Sequence, residues 1–316
     1  MPTPTPADRP EGPEGSGAQA HGAAAALAAD LHCHSNASDG TLAPAELAAR
    51  AQRQGVALWA LTDHDTVAGQ TQAAQAAHAL GLAWVSGVEL SALYQGRCLH
   101  IVGLGMDIGH AALLQALAAN QQLRVQRAWR MAQRLEQAGF RGVWQGALAL
   151  AGGQPGQLAR PHLARYLVHS GQAGSEQQVF QHYLGEQGRC FVPTQWLPLE
   201  QAIAAIRAAG GLAVLAHPLA YGLPPPALQA LLQHFKASGG QGIEVISGPQ
   251  PAAQIAELAA MARSHGLLAS RGSDFHRPPA TEGGVELGRL PPLPPELQAV
   301  WTQLPLARGA GPVQNR

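Results

Sequence analysis

Short apolar runs alternate along the chain with longer, Ala-rich amphipathic stretches, the rhythm of strands and helices in a parallel α/β sheet or barrel. Seven runs read as strands: Ala24–Leu31, Val56–Leu61, Ala83–Leu90, Cys98–Leu104, Leu212–Ala216, Ile243–Ile246 and Leu267–Ser270. The intervening pattern predicts helices over 44–54, 67–79, 199–209, 226–237 and 252–265, several opened by Pro or closed by Gly. Between Asp107 and Leu197 the rhythm stops. That stretch reads as one long helix, 111–139, followed by shorter ones over 158–170 and 175–184, an insertion placed where a lid would cover a site. The expected organisation is a disordered leader (1–22), an α/β domain (23–106 and 198–290), a helical insertion subdomain (107–197) and a Pro-rich tail (291–316) with a mobile last dozen residues.

Nearly every apolar run is followed at its C-terminal end by a His, Asp or Glu. The first leads into His32-Cys33-His34, and alternation along an extended chain puts both imidazoles on one face and Cys33 on the other. The second ends in Thr62-Asp63-His64-Asp65 and the third in Gly87-Val88-Glu89; the fourth carries His100; the fifth ends in His217-Pro218, and the seventh in Ser273-Asp274-Phe275-His276. In a parallel barrel such ends converge on one rim. Singly, each has a bland explanation: Asp63 and Asp65 could cap the following helix, and an isolated histidine such as His78, His169, His182, His234 or His265 is ordinarily a surface or core residue. Six histidines and several carboxylates repeating the same placement point instead to a site for divalent first-row metals.

Composition narrows the context. The 316 residues carry 20 basic and 20 acidic side chains and no formal net charge, so attraction for a polyanion must be local and long duplex nucleic acid is not an expected partner. Cys33, Cys98 and Cys190 form no CxxC pair, as suits a reducing compartment. No apolar stretch approaches a membrane span and the start lacks the marks of a signal peptide, so a cytoplasmic protein without membrane partners is expected.

The motifs just quoted, from about Asp30 to His276, resemble those of the polymerase and histidinol phosphatase (PHP) superfamily. The Ser38-Asp39-Gly40 turn, the insertion and Arg160-Pro161-His162 resemble its nucleoside 3′,5′-bisphosphate phosphatase branch, which includes a 5′→3′ exoribonuclease acting on short RNA. The resemblance implies a distorted (β/α)7 barrel, in agreement with the strand count. It also implies metal-dependent hydrolysis of nucleoside 3′,5′-bisphosphates such as adenosine 3′,5′-bisphosphate, or of short RNA from the 5′ end. His32, His34, Glu89 and Asp274 would hold a first ion, Glu89 would bridge to a second held by His100 and His217, and Asp39, His64 and His276 would hold a third. Asp63 would orient a ligating imidazole. The N and O donor set favours Mn2+, with Fe or Zn compatible. His32, His34, Glu89, Asp274 and His162 are the candidate catalytic residues; His162 could contact substrate, donate a proton or complete a metal's coordination.

Arg124, Arg127 and Arg130 recur along the long helix, with Arg134 one turn further; with Arg160 beside His162, the first three are candidate phosphate ligands. Trp144, Tyr166 and Phe275 are candidate stacking surfaces for a base. Two other chemistries compete: a histidinol-phosphate-type phosphatase, which calls for an acidic pocket, and an amidohydrolase-like C–N hydrolase, which needs neither the third ion nor the arginines.

Overall fold

A computed structural model describes residues 27–280 and 284–304; the expected leader, the start of the first run and residues 305–316 lie outside them. The described residues form a mixed α/β fold. Its strands are β1 (Ala29–Asp30), β2 (Leu58–Ala60), β3 (Ala83–Val85), β4 (Gly87–Tyr94), β5 (Arg97–Leu104), β6 (Leu197–Pro198), β7 (Leu212–Leu215), β8 (Gly242–Ser247) and β9 (Leu268–Gly272). The helices are α1 (Pro44–Arg53), α2 (Gln70–Ala79), α3 (Ala111–Gln137), α4 (Val143–Leu150), α5 (Arg160–His169), α6 (Glu176–Val179), α7 (Leu199–Ala208), α8 (Pro225–Ala237) and α9 (Ala252–His265).

The strands make two sheets, β1-β2-β3 and β6-β4-β5-β7-β8-β9. Single bridges, Cys33 to Phe275 and His64 to Glu89, tie residues just beyond β1 and β2 to the larger sheet. Gly272 allows the first seam to close, because a Cβ there would lie 2.2 Å from that of His32. The expectation of seven parallel strands is corrected in two places: the third run, 83–90, divides into β3 and β4, which belong to different sheets, and not all neighbours are parallel. Runs three and four form an antiparallel hairpin, β4 with β5, and β5 is also antiparallel to β7. Only Gln95 and Gly96, both at positive φ, separate β4 from β5. Two residues make a tight hairpin turn, whereas a parallel crossover needs a dozen or more.

α3 explains how the insertion is mounted. Its buried stripe passes from Leu113, Ala116 and Leu117 in the main core to Ala128, Met131, Ala132 and Leu135 in a separate core shared with α4 and α5. Between these apolar ends the stripe is polar, at Asn120 and Arg124, where the helix crosses the site. α4 was not expected from the sequence, and the predicted 175–184 helix divides into α6 and a π-helical turn, Phe180–Leu184. The Pro-rich segment is not a free tail as far as residue 304: Leu293, Leu297, Val300, Trp301 and Leu304 are buried in the main core, and Ala299 bridges to Ala269 of β9.

Candidate metal centre and its arginine wall

Glu89, fully buried on β4, is the hub of the site. One carboxylate oxygen lies 2.9 Å from His100 Nδ1, 3.2 Å from His217 Nε2 and 3.3 Å from His32 Nε2; the other lies 2.7 Å from His64 Nδ1 and 3.3 Å from His34 Nε2. Asp274 Oδ1 is 3.1 Å from His34 Nε2 and 3.5 Å from His32 Nε2, and Asp39 Oδ1 is 3.3 Å from His276 Nε2 and 3.8 Å from His64 Nε2. All nine sequence-predicted donors therefore meet in one cluster.

Local backbone geometry aims them. His32 and His34 share a face as alternation requires, with Cys33 turned into the apolar layer beside Trp59. His217 and Asp274 adopt positive φ (29° and 54°), conformations costing about 1–3 kcal/mol each that a functional site commonly holds. Tyr221 accepts from His100 N–H (2.9 Å) and donates to Ala216 O (2.9 Å), clasping the ends of β5 and β7.

The cluster fits divalent ions. Three groups have all donor atoms within 4.8 Å of one another: His34, Asp39, His64 and His276; His32, His34 and Asp274; and His64, Glu89 and His100. Metal–ligand bonds of about 2.0–2.2 Å put neighbouring donors about 3–3.5 Å apart, the spacing found here. His32 Nε2, His34 Nδ1, Asp39 Oδ1, His64 Nδ1, Glu89 Oε2 and His217 Nδ1 are buried and, despite close neighbours such as the His64–Glu89 contact, make no hydrogen bond of proper geometry, an arrangement that is costly unless something else satisfies them. Electrostatics show the same crowding. Against the opposing effect of burial, the cations of His100, His64 and His32 hold Glu89 well below the usual carboxylate range. Burial, then His276 and His64, pushes His34 down to about 3.

Two carboxylates play parts the sequence did not suggest. Asp63 holds no imidazole, contrary to expectation: it accepts from Ser35 N–H, Ser35 Oγ and Ser38 Oγ, each at 2.7 Å, and so braces the turn that carries Asp39. The residue that orients an imidazole is Glu244 of β8, 2.7 Å from His32 Nδ1, which also accepts from His217 N–H at 2.7 Å. Its only signal in the sequence is one acid inside an apolar run. Glu244→Gln is expected to lower metal affinity or activity about 10–100-fold, the usual effect of losing such a partner. Metal titration with the folded variant checks this; unchanged affinity and turnover would remove Glu244 from the site.

A cavity of about 790 Å³ opens over the cluster, lined by Asp39, His64, His100, His217, Asp274 and His276 of the cluster and by Arg124, Arg127 and Arg160 of the insertion. Arg124 is buried and ion-paired to Asp65. Arg127 donates to Val192 O (3.1 Å) and Arg160 to Leu184 O (3.4 Å); neither forms a close ion pair among the described residues, and Glu186, which also lines the cavity, is an acid whose charge favours both cations. Burial, then the cations of Arg160 and Arg124, pushes Arg127 down to about 9. Arg130 is solvent-exposed on α3 and absent from the cavity wall; six positions along the helix turn it about 120° away from Arg124, the arginine buried against the site.

The predicted stacking residues lie elsewhere. Phe275 is fully buried, Trp144 packs on Trp129 and Tyr166 donates to Arg141 O, whereas the aromatics lining the cavity are Phe180, Phe191 and Trp196. These carry guanidinium groups on their faces: Arg160 over Phe180, and Arg127 over both Phe191 and Trp196. Phe191 and Trp196 sit in irregular chain of the insertion without periodicity, and Phe180, though inside the predicted 175–184 helix, carried no signal that it faced the site.

His162 is buried and does not line the cavity; its Nδ1 accepts from Ala159 N–H (3.1 Å), capping the start of α5 beside Arg160. Burial, then Arg165, pushes it down to about 4. It therefore stays neutral in the folded protein while the unfolded chain takes up a proton near pH 6.5. Its contribution to stability is present above pH 6.5 and is lost as pH falls from there toward 4, by roughly 3 kcal/mol at the limit. Urea unfolding at pH 7.5 and 4.5 should show a smaller difference for His162→Gln than for the native chain; equal differences would contradict this assignment.

Comparisons with known proteins identify the family. The PHP domain profile matches residues 30–185, reaching into the insertion and stopping before His217 and Asp274. The chain is 43% identical over 272 residues to a 5′-3′ exoribonuclease of Haemophilus influenzae, covering 86% of this chain and 97% of the relative. It is 42% identical over 275 residues to a 3′,5′-nucleoside bisphosphate phosphatase of Chromobacterium violaceum, covering 87% and 95%. A solved structure from C. violaceum, described as an amidohydrolase with bound sulfate and no metal, superposes with a TM-score of 0.84 at 40% identity over 90% of this chain and 98% of its own. Similarity of this extent, across nearly the whole of both relatives, means that the chain belongs to the PHP domain family.

Proposed function

We propose that the chain hydrolyses nucleoside 3′,5′-bisphosphates, adenosine 3′,5′-bisphosphate among them, to nucleoside monophosphate and phosphate, and takes short RNA from its 5′ end at the same site. The observation that carries this reading is the mixed lining of one cavity: metal-ligating side chains together with Arg127 and Arg160, neither of which is held in a close ion pair. A monoester needs only the metal-ligating side chains; a second phosphate gives the arginines a close counter-charge. The relatives' named activities fit the same pair of substrates.

In this reading His32, His34, Glu89 and Asp274 hold one ion, Glu89 with His100 and His217 a second, and Asp39, His64 and His276 a third, Mn2+ being favoured and Fe or Zn compatible. Bound there, divalent ions lower the pKa of water and neutralise charge on the phosphoryl oxygens of an in-line displacement. The chain's own residues do the rest. Arg127 and Arg160 grip the phosphate that is not cleaved, since the planar fork of each guanidinium suits paired phosphate contacts. Phe180, Phe191 and Trp196 offer faces to the base, and His162 holds the helix start that presents Arg160. In the same reading the two sheets are parts of one distorted (β/α)7 barrel, and residues 107–197 are its insertion. A zero net charge argues against tight binding of long nucleic acid.

The test is phosphate release, with added Mn2+, from adenosine 3′,5′-bisphosphate, an aryl phosphate and a neutral aryl amide. A marked preference for the bisphosphate supports the reading. Amide hydrolysis without phosphate release would put the C–N hydrolase first, the activity by which the C. violaceum structure is described. An amino-alcohol monoester is the poorest fit, because the insertion lines the cavity with three arginines and a single acid, Glu186.

A further inference from the structure

Asp65, the last residue of Thr62-Asp63-His64-Asp65, has a buried carboxylate and stands outside the donor groups of the metal cluster. It is tied to both sides of the site. Its backbone N–H donates to Glu89 O (2.8 Å), and its carboxylate accepts from Ser91 N–H (2.8 Å) and Ser91 Oγ (2.8 Å), fixing it to the strand that carries Glu89. Three residues of α3 reach it from the other side: Asn120 Nδ2 donates to Oδ1 (2.8 Å), Gln121 Nε2 to the main-chain carbonyl (2.9 Å), and Arg124 to Oδ2. Asn120 also donates to Ser91 O (2.7 Å). Asn120 and Arg124 are one turn apart, so one face of α3 is docked on a single carboxylate. This junction is the polar break between the two apolar cores that α3 spans. Arg127, which lines the cavity, lies just beyond it on the same helix.

We propose that Asp65 is a positioning residue that, through Arg124, registers the arginine wall on the metal wall and so sets which spacing of two phosphates the site accepts. This rests on the bisphosphate reading above. Arg124 is then the strut that carries the register rather than the principal anion ligand, its charge already balanced by Asp65. The apolar contacts of α3 can slide by fractions of an ångström with little penalty, whereas a buried ion pair flanked by amide hydrogen bonds holds one geometry.

Asp65→Asn is the informative change. Asn keeps the shape and tolerates the positive φ of 51° at this position, but it cannot neutralise Arg124. Arg124→Met and the double variant complete a cycle. The readout is the ratio of kcat/KM for adenosine 3′,5′-bisphosphate over adenosine 2′,5′-bisphosphate: both carry two phosphates and one base, so a general loss of stability or of anion affinity leaves the ratio alone. The expected result is a ratio at least tenfold closer to one in each single variant, with no further change in the double. An unchanged ratio in Asp65→Asn, or single effects that multiply in the double variant, overturns the proposal, as does a native enzyme indifferent to the isomer. If Asp65→Asn alone does not fold, Arg124→Met against the double variant decides: no further change supports the proposal, a further fall overturns it. A native chain that does not prefer either bisphosphate over an aryl phosphate instead sinks the functional reading, and this inference with it.

Discussion

Glu89→Gln lowers metal-dependent phosphate release from adenosine 3′,5′-bisphosphate by about a thousandfold or more, equivalent to about 4 kcal/mol in the barrier. The size follows from connectivity. Five imidazole nitrogens lie within 3.3 Å of this one carboxylate, so a change here reaches most of the donor cluster at once, whereas a peripheral ligand such as His276 touches one part of it. Glutamine matches the shape but removes the negative charge and replaces an acceptor oxygen with a donor, which turns a lone pair away from any cation. Metal content per chain should fall with activity, while the apolar core around β4 keeps the variant folded. Full metal content together with activity within tenfold of native would contradict the central place given to Glu89.

Arg127→Ala and Arg160→Ala act on the other wall, and their signature is selective. Each guanidinium removed deletes charge-assisted contacts worth about 1.5–3 kcal/mol, so KM for the bisphosphate should rise from about tenfold to about 150-fold per variant. An aryl phosphate, which has no second phosphate to lose, should be affected far less. The structure favours these two over Arg124, whose charge faces Asp65, and over Arg130, which is solvent-exposed. Steady-state kinetics with both substrates separates the cases. Equal changes for the two would mean that the arginines bear on the cleaved phosphate, or on the fold, instead of on an anchored second phosphate.

Much of the site was legible in the sequence because its information is local. A strand ends where apolar residues stop, and a His-x-His or Thr-Asp-His-Asp at that point occupies the rim whatever the remainder of the fold does; hence most of the nine candidate donors stood out at the ends of apolar runs, with His100 inside one and Asp39 given only by the family's motifs. Helix limits were equally local: α9 spans 252–265 as its pattern predicts, and α3 ends within two residues of expectation. Strand direction was misread where length was the deciding fact, since Gln95-Gly96 is too short for a crossover and forces β4 and β5 to be antiparallel.

What only the tertiary structure decided are relations between residues far apart in the chain. Glu244 lies 212 positions from His32, and nothing in Gly242–Ser247 distinguishes an acid that orients an imidazole from one that faces water. The division of the arginines is of the same kind: their spacing on α3 is known from the sequence, but which of them is neutralised depends on the carboxylate that docks against the helix, and that partner is set by how the insertion seats on the sheets. Phe180, Phe191 and Trp196 became a cavity wall for the same reason. Periodicity reports which face of an element is apolar, because burial acts on every residue of that face; it is silent on pairings that depend on one contact between two elements.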